Sequence, residues 1–335
     1  MKMDYRRLGD SGLKVSPVCL GTMTFGDRTD AAEARRIVDA AFDAGVNFID
    51  TADAYGTGAS ERIVGAAIKA NRRHWILATK LGNVMTKKPH DGGLSRRWIQ
   101  LACDDSLARL GTDCIDIYYL HRDDPMTPLA ETVGAMGDLI RSGKVRYFGV
   151  SNYRGWRIAE VVAECESQGV PRPVVCQPYY NLLNRMPEVE ILPACDYYGL
   201  GVASYSPIAR GVLTGKYRGG GTPADSRAAV KDQRIMETEF RAESLAIAEK
   251  LEAHAKKTGR TATQFALAWL WANRIVSSVI AGPRTLSQWQ EYVDAIGTTW
   301  SDADEALVDS LVRPGHPSTP GYTDPQYPFF GRILE

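Results

Sequence analysis

The sequence contains no run of about 18 apolar residues, the length a helix needs to cross a bilayer. Its opening residues, MKMDYRRLGD, lack the apolar core of a signal peptide. A cytoplasmic protein with no membrane partner is therefore expected. There is no excess of charge either: forty Lys and Arg balance forty Asp and Glu. Without a basic field, nucleic acid is not an expected partner. The six cysteines, Cys19, Cys103, Cys114, Cys165, Cys176 and Cys195, include no CxxC pair. That argues against a metal site or a disulfide framework, and several of them lie in apolar patterns where a free thiol acts as a small hydrophobe. No G-x-G-x-x-G follows any apolar run, and GVLTGKY at 211–217 has neither the spacing nor the Ser/Thr of a P-loop. A nucleotide would have to be held in another way.

What the chain does have is a repeated unit: a short apolar run, a loop, then a segment with three-to-four apolar spacing. The apolar runs fall at 18–20, 46–49, 75–78, 115–120, 145–150, 174–176, 201–204 and 278–280. Helical spacing falls at 31–44, 60–70, 95–110, 128–142, 153–168, 189–198, 238–257, 262–272 and 286–296. Strict alternation predicts a parallel sheet with right-handed crossovers, and eight units predict closure into a (β/α)8 TIM barrel. A doubly wound open sheet is the alternative. One domain is expected over residues 1–335, with a hairpin at 5–16 turning at Asp10-Ser11-Gly12 and plugging the N-terminal end of a barrel over 17–300. The Gly-rich stretch from Gly211 to Glu237 is expected to be a mobile loop, and residues 312–335 an irregular tail.

Four residues at or just past predicted strand ends carry chemistry: Asp50 and Tyr55 in VNFIDTADAY, Lys80 in WILATK and His121 in CIDIYYLH. In a parallel barrel those ends converge on one face. A phenol with an ordinary pKa near 10 keeps its proton at neutral pH, and a nearby ammonium favours the phenolate left after proton transfer. Lys80 would thus assist Tyr55 as a proton donor to a carbonyl oxygen. Asp50 would supply the counter-charge that a buried ammonium needs. His121 would donate to the carbonyl oxygen or orient it, as imidazole or imidazolium. A barrel-end lysine would also suit a Schiff-base lyase.

The strings RLGDSGLKVSPVCLGTMTFG, FIDTADAYG, ATK, YYLHRDDP, FGVSN, QPYYN, YSPIARGVLTGKY and AGPRTLSQ together resemble the aldo-keto reductase superfamily, from about residue 5 to residue 297. The resemblance lies near its bacterial NADPH-dependent reductases and its potassium-channel β-subunit-like branch. It implies a barrel that binds NADP(H) without a Rossmann fold, with Asp50, Tyr55, Lys80 and His121 as the catalytic tetrad. It implies that Tyr205 stacks on the nicotinamide, that Ser151, Asn152 and Gln177 bond its carboxamide, and that Gly21, Thr22 and Met23, with Asp50, lie nearby. Ser206, Pro207, Ile208, Ala209, Arg210 and Lys216 would follow the ribose and pyrophosphate. Gly282 and Arg284 would meet the 2′-phosphate, with Gln288 and Glu291 near the adenosine. Tyr292 stands where many members have Asn, so stacking would replace a hydrogen bond to adenine.

The implied activity is NADPH-dependent reduction of aldehydes and some ketones, with a small carbonyl substrate as partner and homo-oligomer formation left open. The alternative is a nicotinamide-binding regulatory subunit like the channel branch, which carries Asn where this chain has His121. Met23, Phe25, Tyr55 and the tail aromatics Tyr322, Tyr327 and Phe329 are the candidates for an apolar substrate pocket.

Overall fold

The computed structural model describes residues 3–224 and 226–328, so Phe329 lies outside the described residues. By internal contacts they form two compact units. The first comprises the described residues up to Pro178 together with Glu190–Tyr205 and Arg274–Val293. The second comprises Tyr179–Val189, Ser206–Asn273 and the described residues from Asp294 onward.

The first unit opens with a hairpin, β1 (Arg6–Arg7) and β2 (Lys14–Val15), paired antiparallel with Arg6 opposite Val15. Then come β3 (Val18–Gly21), α1 (Ala31–Asp43), β4 (Phe48–Asp50), α2 (Ala59–Ile68), β5 (Ile76–Leu81), α3 (Arg96–Leu110), β6 (Ile115–Leu120), α4 (Leu129–Arg141), β7 (Val145–Ser151), α5 (Gly155–Gln168), β8 (Val175–Gln177), α6 (Ile191–Tyr198) and β9 (Gly201–Tyr205). In the second unit α7 (Gln233–Glu237), α8 (Ala242–Lys257) and α9 (Ala262–Ala272) follow. The first unit resumes with β10 (Val276–Ala281) and α10 (Leu286–Asp294), and α11 (Asp302–Leu311) belongs to the second.

Strands β3 to β10 pair in parallel and in sequence, and β10 returns to β3, which closes the barrel. The open-sheet alternative is thereby overturned. Its interior holds Cys19, Phe48, Ala78, Ile117, Tyr119, Val175, Ala203 and Ile280, from seven of the eight strands, with Tyr147 of β7 packed against them. Gly149 is small for a reason visible here, since a Cβ would stand 2.7 Å from the Tyr119 ring and 2.6 Å from Val175. The hairpin closes the N-terminal end, as expected: Leu8 and Val15 join the interior cluster. Arg6 Nη1 donates to the Val276 carbonyl at 3.0 Å, and Ser277 Oγ donates to the Arg7 carbonyl at 3.0 Å.

Local signals account for helix ends. Asp30 and Ser95 cap α1 and α3 by accepting from Glu33 N and Trp98 N. Two helices were not legible from periodicity, α7 and α11. The first is a single short turn capped by Asp232, and the second is set by a capping box between Ser301 and Asp304. The Gly-rich stretch contains 3-10 turns at Ala209–Thr214 and Arg218–Gly220 before α7. Among the described residues the tail past α11 has no regular element, and its Pro317 bridges to Asn184 within the second unit.

Candidate active site

Interior alternation decides which side chains reach the strand ends. Two residues beyond Phe48 is Asp50, beyond Ala78 is Lys80, beyond Tyr119 is His121, beyond Val175 is Gln177 and beyond Ala203 is Tyr205. The barrel therefore sets five polar side chains in one layer above its apolar core, at the C-terminal ends of the strands.

Lys80 is wholly buried, and its ammonium pairs with Asp50 Oδ1. The same Nζ donates to the Thr51 carbonyl at 2.8 Å and to the Tyr55 hydroxyl at 3.1 Å. The other Asp50 oxygen accepts from Gln177 Nε2 at 3.0 Å. Burial disfavours the Lys80 charge, but Asp50 and Tyr55 outweigh it and hold its pKa above the ordinary lysine value. Burial raises the Asp50 carboxyl, with Lys80 opposing. Burial also raises the Tyr55 phenol, and the Lys80 charge again opposes it. Tyr55 is thus protonated at neutral pH, and the ammonium acts by limiting the cost of the phenolate and not by making it the resting form.

Tyr55 and His121 meet edge to face, their ring centroids 5.9 Å apart. Burial, with the charges of Lys80 and Arg122, pushes the His121 pKa well below 6.5, so the ring is neutral at neutral pH. The sequence alone allows either imidazole or imidazolium at this position, and burial decides for imidazole. Asn83 Nδ2 lies 3.0 Å from His121 Nδ1. An amide nitrogen only donates, so Nδ1 accepts and the ring proton is on Nε2.

Around this group, Asn152 sits in a left-handed conformation at φ 60°. Its amide nitrogen donates to the His121 carbonyl at 2.9 Å and to Ser151 Oγ at 3.1 Å, and its oxygen accepts from the Tyr205 hydroxyl at 2.8 Å. Ser151 Oγ donates to the Gln177 carbonyl at 2.8 Å. Strain at a strand end held by several hydrogen bonds is a feature of functional sites. Ser151, Asn152, Gln177 and Tyr205 thus form one network with the tetrad.

The remaining predicted positions divide between the units. In the first, Gly21 ends β3 and has no room for a Cβ, which would fall 2.6 Å from Ile280. Thr22 is buried, its hydroxyl donating to the Asp50 carbonyl at 2.9 Å, and Met23 is 46% exposed. Gly282 follows β10 with open space where a Cβ would stand. Half-buried Arg284 has its amide bonded to Gln288 Oε1 at 2.9 Å and its carbonyl to Thr29 Oγ1 at 3.0 Å. Glu291 is exposed. Tyr292 is only 5% exposed, which leaves little of its ring for stacking. Phe25 is wholly buried and offers no surface to a substrate, a correction to the pocket expected from sequence.

In the second unit, Ser206, Ala209 and Arg210 adopt positive φ values of 56°, 50° and 50°. Pro207 is buried and Ile208 partly so. Arg210 Nη1 bonds both Glu239 oxygens at 2.7 Å. Lys216 Nζ lies 5.2 Å above the Tyr217 ring. Tyr322 has the Arg241 guanidinium 3.7 Å from its ring centroid.

Sequence reasoning missed Asn83. It stands in an irregular loop, and no spacing marks an amide there as the partner of a distant histidine.

A closed parallel barrel with a proton-holding phenol, a paired ammonium and a neutral imidazole at its C-terminal face is the architecture of a (β/α)8-barrel oxidoreductase. The chain belongs to the aldo/keto reductase family, whose model matches residues 17–313. It is 39% identical over 302 residues to a probable voltage-gated potassium channel subunit beta of Arabidopsis thaliana, covering 88% of this chain and 91% of that protein. It is 38% identical over 308 residues to the uncharacterized oxidoreductase YrpG of Bacillus subtilis, covering 88% and 91%. It is 34% identical over 329 residues to L-glyceraldehyde 3-phosphate reductase of Escherichia coli, covering 94% of each chain.

Proposed function

We propose that this chain reduces aldehydes and some ketones to alcohols with NADPH, and that Tyr55 is the proton donor. The observation that carries the reading is the Tyr55 hydroxyl 3.1 Å from a fully buried Lys80 ammonium, beside a neutral His121. The nicotinamide cofactor, when bound, supplies a hydride to the carbonyl carbon. The residues present fit such a group: a partly exposed Tyr205 ring beside the Asn152 amide, and open space at Gly282 next to Arg284.

The chain's own side chains do the rest. His121 Nε2–H orients the carbonyl oxygen and stabilises the charge that gathers there. Tyr55 passes its proton to that oxygen, and Lys80 stabilises the phenolate. Asp50 keeps Lys80 charged, and Gln177 holds the second Asp50 oxygen. General acid catalysis of this kind contributes about 10²- to 10⁴-fold.

The test is a fluorescence titration with NADPH and NADH, followed by a panel of aldehydes, ketones and sugars that includes a phosphorylated aldehyde. Tyr55→Phe should bind NADPH within a few-fold of wild type and reduce aldehydes about 10²-fold more slowly or worse. Near-wild-type turnover would remove Tyr55 from the role. NADPH binding without turnover on any carbonyl would favour a regulatory subunit of the kind the potassium-channel relative is named for.

A further inference from the structure

Asp53 is a buried acid beside the tetrad that has no role in the proton transfer proposed for Tyr55. It is 1% exposed, lies between Asp50 and Tyr55, and its amide donates to the Lys80 carbonyl at 3.1 Å. Neither of its carboxyl oxygens meets a donor in hydrogen-bonding geometry. The adjacent Ala54 amide favours its ionised form, more than Arg109 or Lys80 does, but burial and Glu61 outweigh all three.

The groups facing it come from four elements. From α2 comes Glu61, wholly buried, which accepts from Thr79 Oγ1 at 2.6 Å and from Arg109 Nε at 2.5 Å. From α3 comes Arg109, which also donates to Ser106 Oγ at 3.1 Å. From β5 comes Lys80, already matched by Asp50. From β6 comes buried Tyr118, whose pKa is raised by burial and also by the Asp53 charge. Beyond the Asp50–Lys80 pair, two acids, Asp53 and Glu61, therefore face one cation, Arg109. Glu61 has two side-chain donors and Asp53 has none, so the proton that balances the cluster belongs on Asp53. Burial and the Glu61 charge raise the Asp53 pKa to about 7. The Asp53 charge also bears on Tyr55, raising its pKa.

We propose that Asp53 is a positioning residue for proton donation: as the neutral acid it leaves the Tyr55–Lys80 pair efficient, and once ionised it opposes the phenolate that donation creates. This rests on the reading of Tyr55 as donor. The test compares the pH profile of kcat/KM for aldehyde reduction with saturating NADPH in wild type and Asp53→Asn. Wild type should lose roughly two- to fivefold as pH rises from 6 to 8, a modest loss as expected for one carboxylate acting through an effective dielectric near 20. Asp53→Asn should hold the low-pH rate across that window.

The Asp53 carboxyl carbon in wild type, followed by ¹³C NMR, should titrate near 7, which needs no variant to fold. A midpoint near 4, or an inflection unchanged in Asp53→Asn, overturns the proposal. If Tyr55→Phe is inactive and Asp53→Asn keeps the inflection, this proposal alone falls. If Tyr55→Phe turns over at the wild-type rate, the donor reading falls and this one with it.

Discussion

The Asn83 side-chain amide donates to Nδ1 of His121 at 3.0 Å, and this contact sets which imidazole nitrogen carries the proton. Burial keeps the ring neutral, so its tautomer decides whether Nε2 presents a donor to substrate. A net hydrogen bond is worth about 0.5–1.5 kcal/mol. Asn83→Ala should lower kcat/KM for an aldehyde by roughly three- to tenfold while NADPH affinity is unchanged. A change confined to cofactor binding would place Asn83 outside the reaction.

Lys80 should act by charge and not as a nucleophile. Borohydride treatment of wild type with an aldehyde should leave no adduct on Lys80 by mass spectrometry, whereas a stoichiometric adduct would favour a Schiff-base lyase. Lys80→Met should also expose the cost of an unmatched buried carboxylate, about 3–5 kcal/mol of stability. Lys80 is the main influence lowering the Asp50 pKa, so without it the already raised value climbs further. A carboxyl with a raised folded pKa favours the folded state while protonated and loses that contribution as pH rises through the folded pKa. The variant's deficit in denaturant unfolding should therefore be larger at pH 8 than at pH 5.

Arg284 should govern the choice between NADPH and NADH, as the fork-shaped cation after β10 beside Gly282 and Pro283. Arg284→Ala should weaken NADPH binding by roughly 1.5–3 kcal/mol, about ten- to a hundredfold, and leave NADH binding nearly as it was. The difference should shrink with added salt. Equal losses for both cofactors would mean that Arg284 holds the barrel end together, and selectivity would then have to come from elsewhere.

Within the second unit, Asp304 closes the capping box of α11 with Ser301 and pairs with Arg260 at 2.6 Å and His254 at 2.7 Å. Burial alone would raise its pKa, but Arg260, Ser301 and His254 outweigh it and hold it far below the ordinary range. A depressed folded pKa gives stability that is present above the unfolded value near 3.9 and is lost as pH falls through the folded one. Asp304→Ala should cost about 3–5 kcal/mol at pH 7, with a gap that narrows on acidification below about pH 4. A gap constant down to pH 2 would assign the loss to packing.

The eight strands of the barrel could be read from sequence because each is a short apolar run between loops, and period two and three-to-four spacing need no knowledge of distant contacts. The positions of Asp50, Lys80 and His121 followed from the same local signal, since each lies at a strand end, and interior alternation carries each side chain inward. Helices α7 and α11 escaped because one is a single turn and the other is defined by its capping box more than by an apolar stripe.

The protonation states were decided elsewhere. That His121 is neutral depends on its burial beside Lys80 and Arg122, and that its proton sits on Nε2 depends on an amide 38 residues away. That Asp53 is left without a side-chain donor depends on Glu61 taking the Arg109 guanidinium, and that Phe25 is sealed from substrate depends on its burial. Local sequence determines which residues arrive at the end of a strand. Closure of the barrel determines which charges share a dry interior, and pKa and tautomer depend on that company.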